Sequence, residues 1–276
     1  MVERHTLNMK VTKITSCYIG PQISPEHFIS EHFFLYLTKG TMQGYDGHKD
    51  YILTSGECCI VRKNHLARYN KQKENDQFEK TIVVFDEIFL KQFQEKRGIK
   101  LTGRFSHEAF IRIGENNLII NFLQSLPSYY TREGEINKTF ADLKREELLL
   151  ILLQANPGLA DILFDFGIPE KIDLEEFMNR NFRFNVAVQR FAYLTGRSLT
   201  SFKQDFKKTF NDSPGRWLIK KRLQEAYFLM DKKGRKASDV YLEVGFEDLS
   251  HFSFVFKKLF GFPPTQLSEK SNTSTP

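Results

Sequence analysis

Two fourteen-residue stretches of this chain, SFKQDFKKTFNDSP at 201–214 and HFSFVFKKLFGFPP at 251–264, coincide at six positions when one is slid fifty residues onto the other. Phe202 falls on Phe252, Phe206 on Phe256, Lys207 and Lys208 on Lys257 and Lys258, Phe210 on Phe260, and Pro214 on Pro264. Such a repeat means that one supersecondary unit is used twice, and it limits the fold more than any other feature. The Phe positions are four apart, so in each copy they line one side of a helix and point into a core. The opposite side carries Thr200, Lys203, Gln204 and Lys207 in the first copy, and Ser250, Ser253, Phe254 and Lys257 in the second.

What precedes each helix repeats as well. Ser198 and Asp248 hold matching places, and both are residue types that cap a helix by accepting first-turn N–H groups. Upstream, FAYLTG (191–196) and YLEVGF (241–246) each read as a short apolar helix closed by a glycine. Helix, tight Gly-containing turn and capped second helix form the pattern of a helix-turn-helix unit, whose second helix can enter a DNA major groove. Between the copies, GRWLIKKRLQEAYFLM (215–230) sets Ile219, Leu223, Ala226 and Met230 on one stripe of a helix long enough to tie two units together. The alternative on pattern alone is a helical bundle whose aromatic stripes are only core.

The region from Ile172 to Gln266 resembles the DNA-binding domain of the AraC/XylS family of bacterial transcription regulators. The matching residues are the tandem pair itself, the linker-helix Arg222-Leu223 with Ala226 and Leu229, and the string Gly245-Phe246, His251-Phe252, Phe256-Lys257-Lys258, Phe260-Gly261 and Pro264. The resemblance covers about a third of the chain. It implies a sequence-specific regulator, an activator more than a repressor, that meets double-stranded promoter DNA and RNA polymerase and pairs as a homodimer through helices beside an amino-terminal barrel. It also puts Thr200, Lys203 and Gln204 at base edges. Their chemistry agrees: Gln suits adenine, Lys suits guanine, and Thr can meet a thymine methyl. Ser198, Ser201 and Asp248 at the two helix N-termini are placed against the phosphate backbone. Lys207 reads either as a phosphate contact or as solvated charge. In the second copy the groove-facing set is Leu249, Ser250, His251, Ser253 and Phe254 with Lys257, whereas the family often has Arg at the places of Phe254 and Gln204. That departure implies weak base preference in the second unit, or an exposed Phe254 that faces another protein.

Charge supports a polyanionic partner for this half. Residues 171–276 hold nineteen Lys/Arg against twelve Asp/Glu, a net of +7, while the remainder is at −1. A solvated basic surface is the bland alternative. A chain of 276 residues suggests two domains. With 41% apolar residues it should be ordered apart from the tail SEKSNTSTP. Cys17, Cys58 and Cys59 are the only cysteines, read as buried thiols on strands, and no spaced Cys/His set suits zinc. The longest apolar run, Leu148 to Leu153, is too short for a membrane span. With no apolar leader at the amino terminus, a cytoplasmic location is expected.

The first 85 residues carry strand signals at VTKITSCYI (11–19), HFFLYLTKG (32–40), DYIL (50–53), ECCIV (57–61), HLARY (65–69) and EKTIVVF (79–85). Gly20-Pro21, Gly44, Asp46-Gly47, Ser55-Gly56 and KQKEND (71–76) separate them as breakers. Many short strands suggest a small barrel or sandwich. The segment from Leu53-Thr-Ser-Gly56-Glu57 to Val61-Arg-Lys-Asn-His65 is similar to the turn-and-strand pattern of cupin-like barrels. His27, His32, His48 and His65 are scattered singly, so each reads as a surface or satisfied histidine, no metal or other cofactor is expected, and a metal-dependent cupin enzyme lacks its ligands. No phosphate loop or nucleophile elbow occurs, so no catalytic residue is named.

From Asp86 the period becomes helical, at 86–98, 116–130 and 137–156. The last of these contains LLLILL (148–153), apolar all round, which must be covered on more than one side. Its cover could be its own domain or the same helix of a second subunit. Pro157-Gly158 and Gly167-Ile-Pro169 punctuate a boundary, and Asp173 with Glu176 makes a capping-box-like start. The expected architecture is α+β. Residues 1–165 form a cupin-like sensing and dimerisation domain with flanking helices, and residues 166–270 an all-α tandem helix-turn-helix domain. A small-molecule effector, or a regulatory protein in its place, would act on the first.

Overall fold

The structure, a computed structural model, describes residues 14–17, 28–103, 108–130, 136 and 138–267. The chain divides into two compact units, one taking in residues 29–167 and the other residues 168–276.

The first unit is built on strands β1 (Ile14–Cys17), β2 (Phe28–Ile29), β3 (His32–Lys39), β4 (Thr41–Tyr45), β5 (Asp50–Thr54), β6 (Cys58–Val61), β7 (His65–Leu66), β8 (Arg68–Gln72), β9 (Glu79–Phe85) and β10 (Phe110–Ile113). Five of them form a sheet in the order β1-β9-β3-β6-β10, three form a second in the order β5-β4-β8, and β2 pairs with β7. Central strand β3 explains the layering. Its side chains alternate between faces, as a strand's must. Phe34 joins Val83 and Phe85 under helix residues Phe89, Leu90, Phe122, Leu148 and Leu152. Phe33, Leu35 and Leu37 join Met42 and Leu53 of the smaller sheet, with Phe110. The expected barrel is therefore not closed: two open sheets share one apolar layer, and helices cover the other face of the larger.

HLARY divides at Ala67 into β7 and β8, and β4 and β10 were not anticipated. Beyond β1, the stretch 11–19, the Gly20-Pro21 breaker, His27, the Cys17 side chain and the tail from Ser268 lie outside the described residues. Cys58 and Cys59 are buried free thiols. Burial pushes both up, Cys58 to about 11, so neither is a thiolate at neutral pH.

Helices α1 (Glu87–Arg97), α2 (Asn117–Ser125), α3 (Lys138–Ala155) and α4 (Leu159–Leu163) follow, with a 3₁₀ turn at Leu126–Tyr129. Asp86 caps α1 by accepting the Phe89 N–H at 3.0 Å, and Gly98 ends the helix in the left-handed region. Arg145 of α3 pairs with Asp86 and lies 4.0 Å above the Phe89 ring, tying α3 to the start of α1. In LLLILL, Leu148, Leu149, Ile151 and Leu152 are buried within this unit, so most of that run is covered without a partner. The apolar surface left on α3 is Phe140, Leu143 and Leu150. Buried His32 accepts the Lys63 N–H through Nδ1 at 3.3 Å, and His65 is bonded to the Lys63 carbonyl at 2.8 Å. Among the described residues no three His, Cys, Asp or Glu gather as a metal site. Nor is any helix there long and apolar enough to cross a membrane.

The second unit is helical: α5 (Leu174–Asn181), α6 (Val188–Leu194), α7 (Leu199–Phe210), α8 (Pro214–Lys233), α9 (Ala237–Glu243) and α10 (Leu249–Phe260). Asp173 caps α5 through the Glu176 N–H at 2.6 Å. Half of the expected capping box is missing, because Glu176 extends its carboxylate to Arg180 one turn on. On α8, Leu223, Ala226 and Met230 are buried as expected, but Ile219 is exposed and Leu218 takes its place in the core.

Candidate nucleic-acid interface

Each copy of the repeat is a pair of helices clamped on a shared axle. In the first, α6 ends at Thr195-Gly196, whose Gly196 has φ +65°, and Ser198 then caps α7 by accepting the Ser201 N–H at 3.2 Å. A Cβ at Gly196 would stand 2.4 Å from the backbone carbon of Glu170, so only glycine fits there. In the second, Gly245 (φ +97°) follows α9, and a Cβ there would lie 2.5 Å from the Arg183 carbonyl oxygen. The Arg197 and Phe246 N–H groups close the two helix ends on the Ala192 and Tyr241 carbonyls, at 3.0 and 2.9 Å. The turns differ in one respect. Ser198 comes two residues after its glycine and Asp248 three after its own, so the second turn is one residue longer.

Helix α8 serves both copies. Phe202 and Phe206 of α7 and Phe252 and Phe256 of α10 are fully buried, whereas Phe210 and Phe260 are only half-buried. Trp217 packs on Phe206 and Phe210, with centroids 5.5 and 4.6 Å apart. Tyr227 packs on Phe256 and Phe260 at 6.4 and 5.0 Å. Between these aromatics Arg222 is buried. Its guanidinium donates to the carbonyls of Phe182 at 2.7 Å, Gly245 at 3.0 Å and Phe184 at 2.7 Å. Burial lowers its pKa to about 10, which leaves it charged at neutral pH. Sequence reasoning missed this tie. Its signal was a charged residue four before Ala226 and four after Leu218, inside the apolar stripe.

Inward packing of the Phe rows turns the remaining faces out. On α7, Thr200, Lys203, Gln204, Lys207 and Lys208 are exposed, and Ser201 is half-buried. Thr200, Gln204 and Lys207 are spaced by four and three, so they form one row along the outer face. Arg197 is not part of it: its side chain turns inward to Asp205 at 3.0 Å and to the Ile172 and Thr195 carbonyls. That hydrogen bond from Arg197 first, and then Lys171, holds the Asp205 carboxyl below its usual range. On α10 the equivalent row is Ser250, Phe254 and Lys257, with His251 and Leu249 exposed beside it and Ser253 half-buried. Phe254 is 67% exposed, in the slot that Gln204 fills on α7. The two helix starts also differ in charge. Ser198 caps α7 with a neutral hydroxyl, while Asp248 caps α10 with a carboxylate that accepts the His251 N–H at 2.6 Å, beside exposed Glu247. The first N-terminus thus carries a neutral cap and the second a negatively charged one.

Residues 32–162 match the ExsA N-terminal regulatory domain family, and residues 191–270 match a helix-turn-helix domain family. The chain is similar to the thermoregulatory protein LcrF of Yersinia pestis, 30% identical over 236 residues that cover 83% of this chain and 86% of LcrF. It is 24% identical to the virulence regulon transcriptional activator VirF of Yersinia enterocolitica over the same shares. With the HTH-type transcriptional regulator ExsA of Pseudomonas aeruginosa it shares 23% identity over 92% of each chain. With its tandem helix-turn-helix domain and its ExsA-type amino-terminal domain, the chain belongs to the AraC/XylS family of DNA-binding transcription regulators.

Proposed function

We propose that this regulator is a transcription activator that lays α7 and α10 in the major groove of promoter DNA and so presents a surface to RNA polymerase. The observation that carries the reading is the matched pair of outward rows, Thr200-Gln204-Lys207 and Ser250-Phe254-Lys257, on helices whose other sides are buried. In this reading Thr200, Lys203 and Gln204 meet base edges, and Ser198, Ser201, Lys207 and Lys257 meet phosphates. Activation is supported by the likeness to VirF, itself named a transcriptional activator.

The exposed row Phe140, Leu143 and Leu150 of α3 suits a homodimer contact in the first unit. Control through that unit by a small molecule needs a cavity. Among the described residues of that unit, an open cleft lined by Gly40, Thr41, Thr54, Ser55, Gln72 and Glu74 has about 370 Å³, and the space lined by Met42, Tyr51, Leu53, Cys59 and Phe110 about 30 Å³, room for a single water. In this reading the effector of the first unit is a small molecule, with a regulatory protein as the alternative.

The test is the salt dependence of binding. Four phosphate contacts, from the last-turn pairs Lys207-Lys208 and Lys257-Lys258, give a slope of about −3.6 in log affinity against log salt, or about a 150-fold loss for a fourfold rise in salt. Binding of the full chain to its promoter fragment that is flat in salt would reject the reading.

A further inference from the structure

We propose that the second unit reads DNA by apolar contact: the Phe254 ring of α10 sits against thymine C5-methyl groups on the major-groove floor and makes that half-site selective for thymine. This builds on the placement of α10 in the groove proposed above and names what it recognises there. Phe254 occupies the middle of the outward row, two-thirds exposed, with Ser250 one turn before it and Lys257 one turn after. A ring so placed carries no donor or acceptor, so it cannot tell guanine from adenine by hydrogen bonds. The thymine methyl is the one apolar feature that base pairs present in the major groove.

Within the outward row Ser250-Phe254-Lys257, that ring is the side chain suited to the groove floor, while Leu249 and His251 stand in the first turn beside the row. Ser250 and Ser253 are short, and Lys257 and Lys258, in the last turn, suit phosphate. At the other end, the Asp248 carboxylate occupies the first-turn N–H group of His251, and with Glu247 it gives the start of α10 a negative charge. This unit thus has less electrostatic hold on the backbone than α7, and an apolar contact becomes its main source of preference. The two lysines of the following turn, Lys257 and Lys258, point to duplex DNA rather than to an apolar protein groove as the occupant. The offset of fifty residues that sets Phe254 on Gln204 supports the same choice.

The test uses the full chain. A preferred duplex is first selected from a randomised pool, and the half-site of α7 is identified as the one whose preference changes in Gln204→Ala. Each thymine of the duplex is then replaced singly by deoxyuridine, which removes the methyl and leaves base pairing intact. At one or two base pairs of the other half-site, unmodified protein should bind the deoxyuridine duplex about fourfold more weakly, the equivalent of one buried methyl. Phe254→Ser should bind thymine and deoxyuridine equally there, while deoxyuridine effects in the α7 half-site stay as they were. Phe254 is exposed, so the variant keeps its fold, checked by an unchanged thermal transition. A deoxyuridine scan that is flat in the α10 half-site, or unaltered by Phe254→Ser, would overturn the inference while leaving salt-dependent binding in place. Phe254→Ser that keeps every base preference but lowers transcription would overturn it too, in favour of a protein partner. If the full chain bound no duplex at all, both this inference and the proposed function would fall.

Discussion

Replacing Arg222 by Met tests whether one buried side chain holds the two helix-turn-helix units in register. Met keeps the length of the side chain and its apolar stem but donates nothing. The carbonyls of Phe182, Phe184 and Gly245 would each lose a charged donor at 2.7–3.0 Å in a place that water does not reach. Hydrogen bonds from a charged donor contribute ~1.5–3 kcal/mol each, and removing a buried cation returns part of its desolvation cost. The net loss expected is about 3–5 kcal/mol. Trp217 is the only tryptophan, and it packs on Phe206 and Phe210, so its fluorescence follows the second unit of the intact chain. With a urea slope of ~2 kcal/mol per molar, the midpoint should fall by roughly 1.5–2.5 M. Arg222→Lys should recover only part of this, because one ammonium cannot reach three carbonyls. Amide exchange should quicken at 182–187 and 243–248 before it does in α7. A Met variant within half a molar of the unmodified protein would show that the three carbonyls find other donors and that the tie is dispensable.

Three further outcomes are expected. Leu143→Glu or Leu150→Glu should give folded monomers by sedimentation, whereas Leu149→Glu should lose the fold, since Leu149 is fully buried in its own unit; an unmodified protein already monomeric at micromolar concentration would rule out the α3 contact. Gln204→Ala should relax preference at one or two base pairs, removing ~1–3 kcal/mol of discrimination, whereas Lys257→Ala should weaken all sequences alike, as a selection on randomised duplexes would reveal. Burial first, and then Lys63, Arg62 and His65, push His32 well below its usual pKa. The unfolded chain then binds the extra proton below about pH 6.5, so stability is complete above that pH and lost as pH falls through the window beneath it, by up to ~1.4 kcal/mol per unit. His32→Asn should flatten the urea midpoint of the first unit, followed by tyrosine fluorescence, between pH 5 and 6.5; an unchanged slope would assign it to another group.

What the sequence made legible was local. The caps Asp173, Ser198 and Asp248 each accept an N–H from the third residue on, because capping depends on a few adjacent residues. Gly44 was misread. It looked like a breaker but sits inside β4, where the Phe110 ring lies 3.1 Å from where a Cβ would be. Phe110 is sixty-six residues away, and no local pattern announces that contact. Sheet closure is equally non-local, so a run of short strands suggested a barrel where two open sheets form. The exposure of Ile219 follows from Arg222. The buried guanidinium rotates the covered stripe of α8 toward Leu218, and polarity hid that residue from a search for apolar periodicity.

Helix α8 is twenty residues long, and Trp217 and Tyr227 are ten residues apart on it, about 15 Å along the axis. A substitution on its outer face alters neither grip. An insertion is different in kind, because one added residue turns everything beyond it by about 100° and advances it by about 1.5 Å. Tyr227 would then swing off its aromatic partners, and Arg222 would lose either its own carbonyls or its alignment with Ala226. Descendants of this chain can thus drift freely in composition along the outer side of α8, but deletions and insertions within it should be purged. In that sense the interval between the repeats is inherited as a fixed length rather than as a sequence.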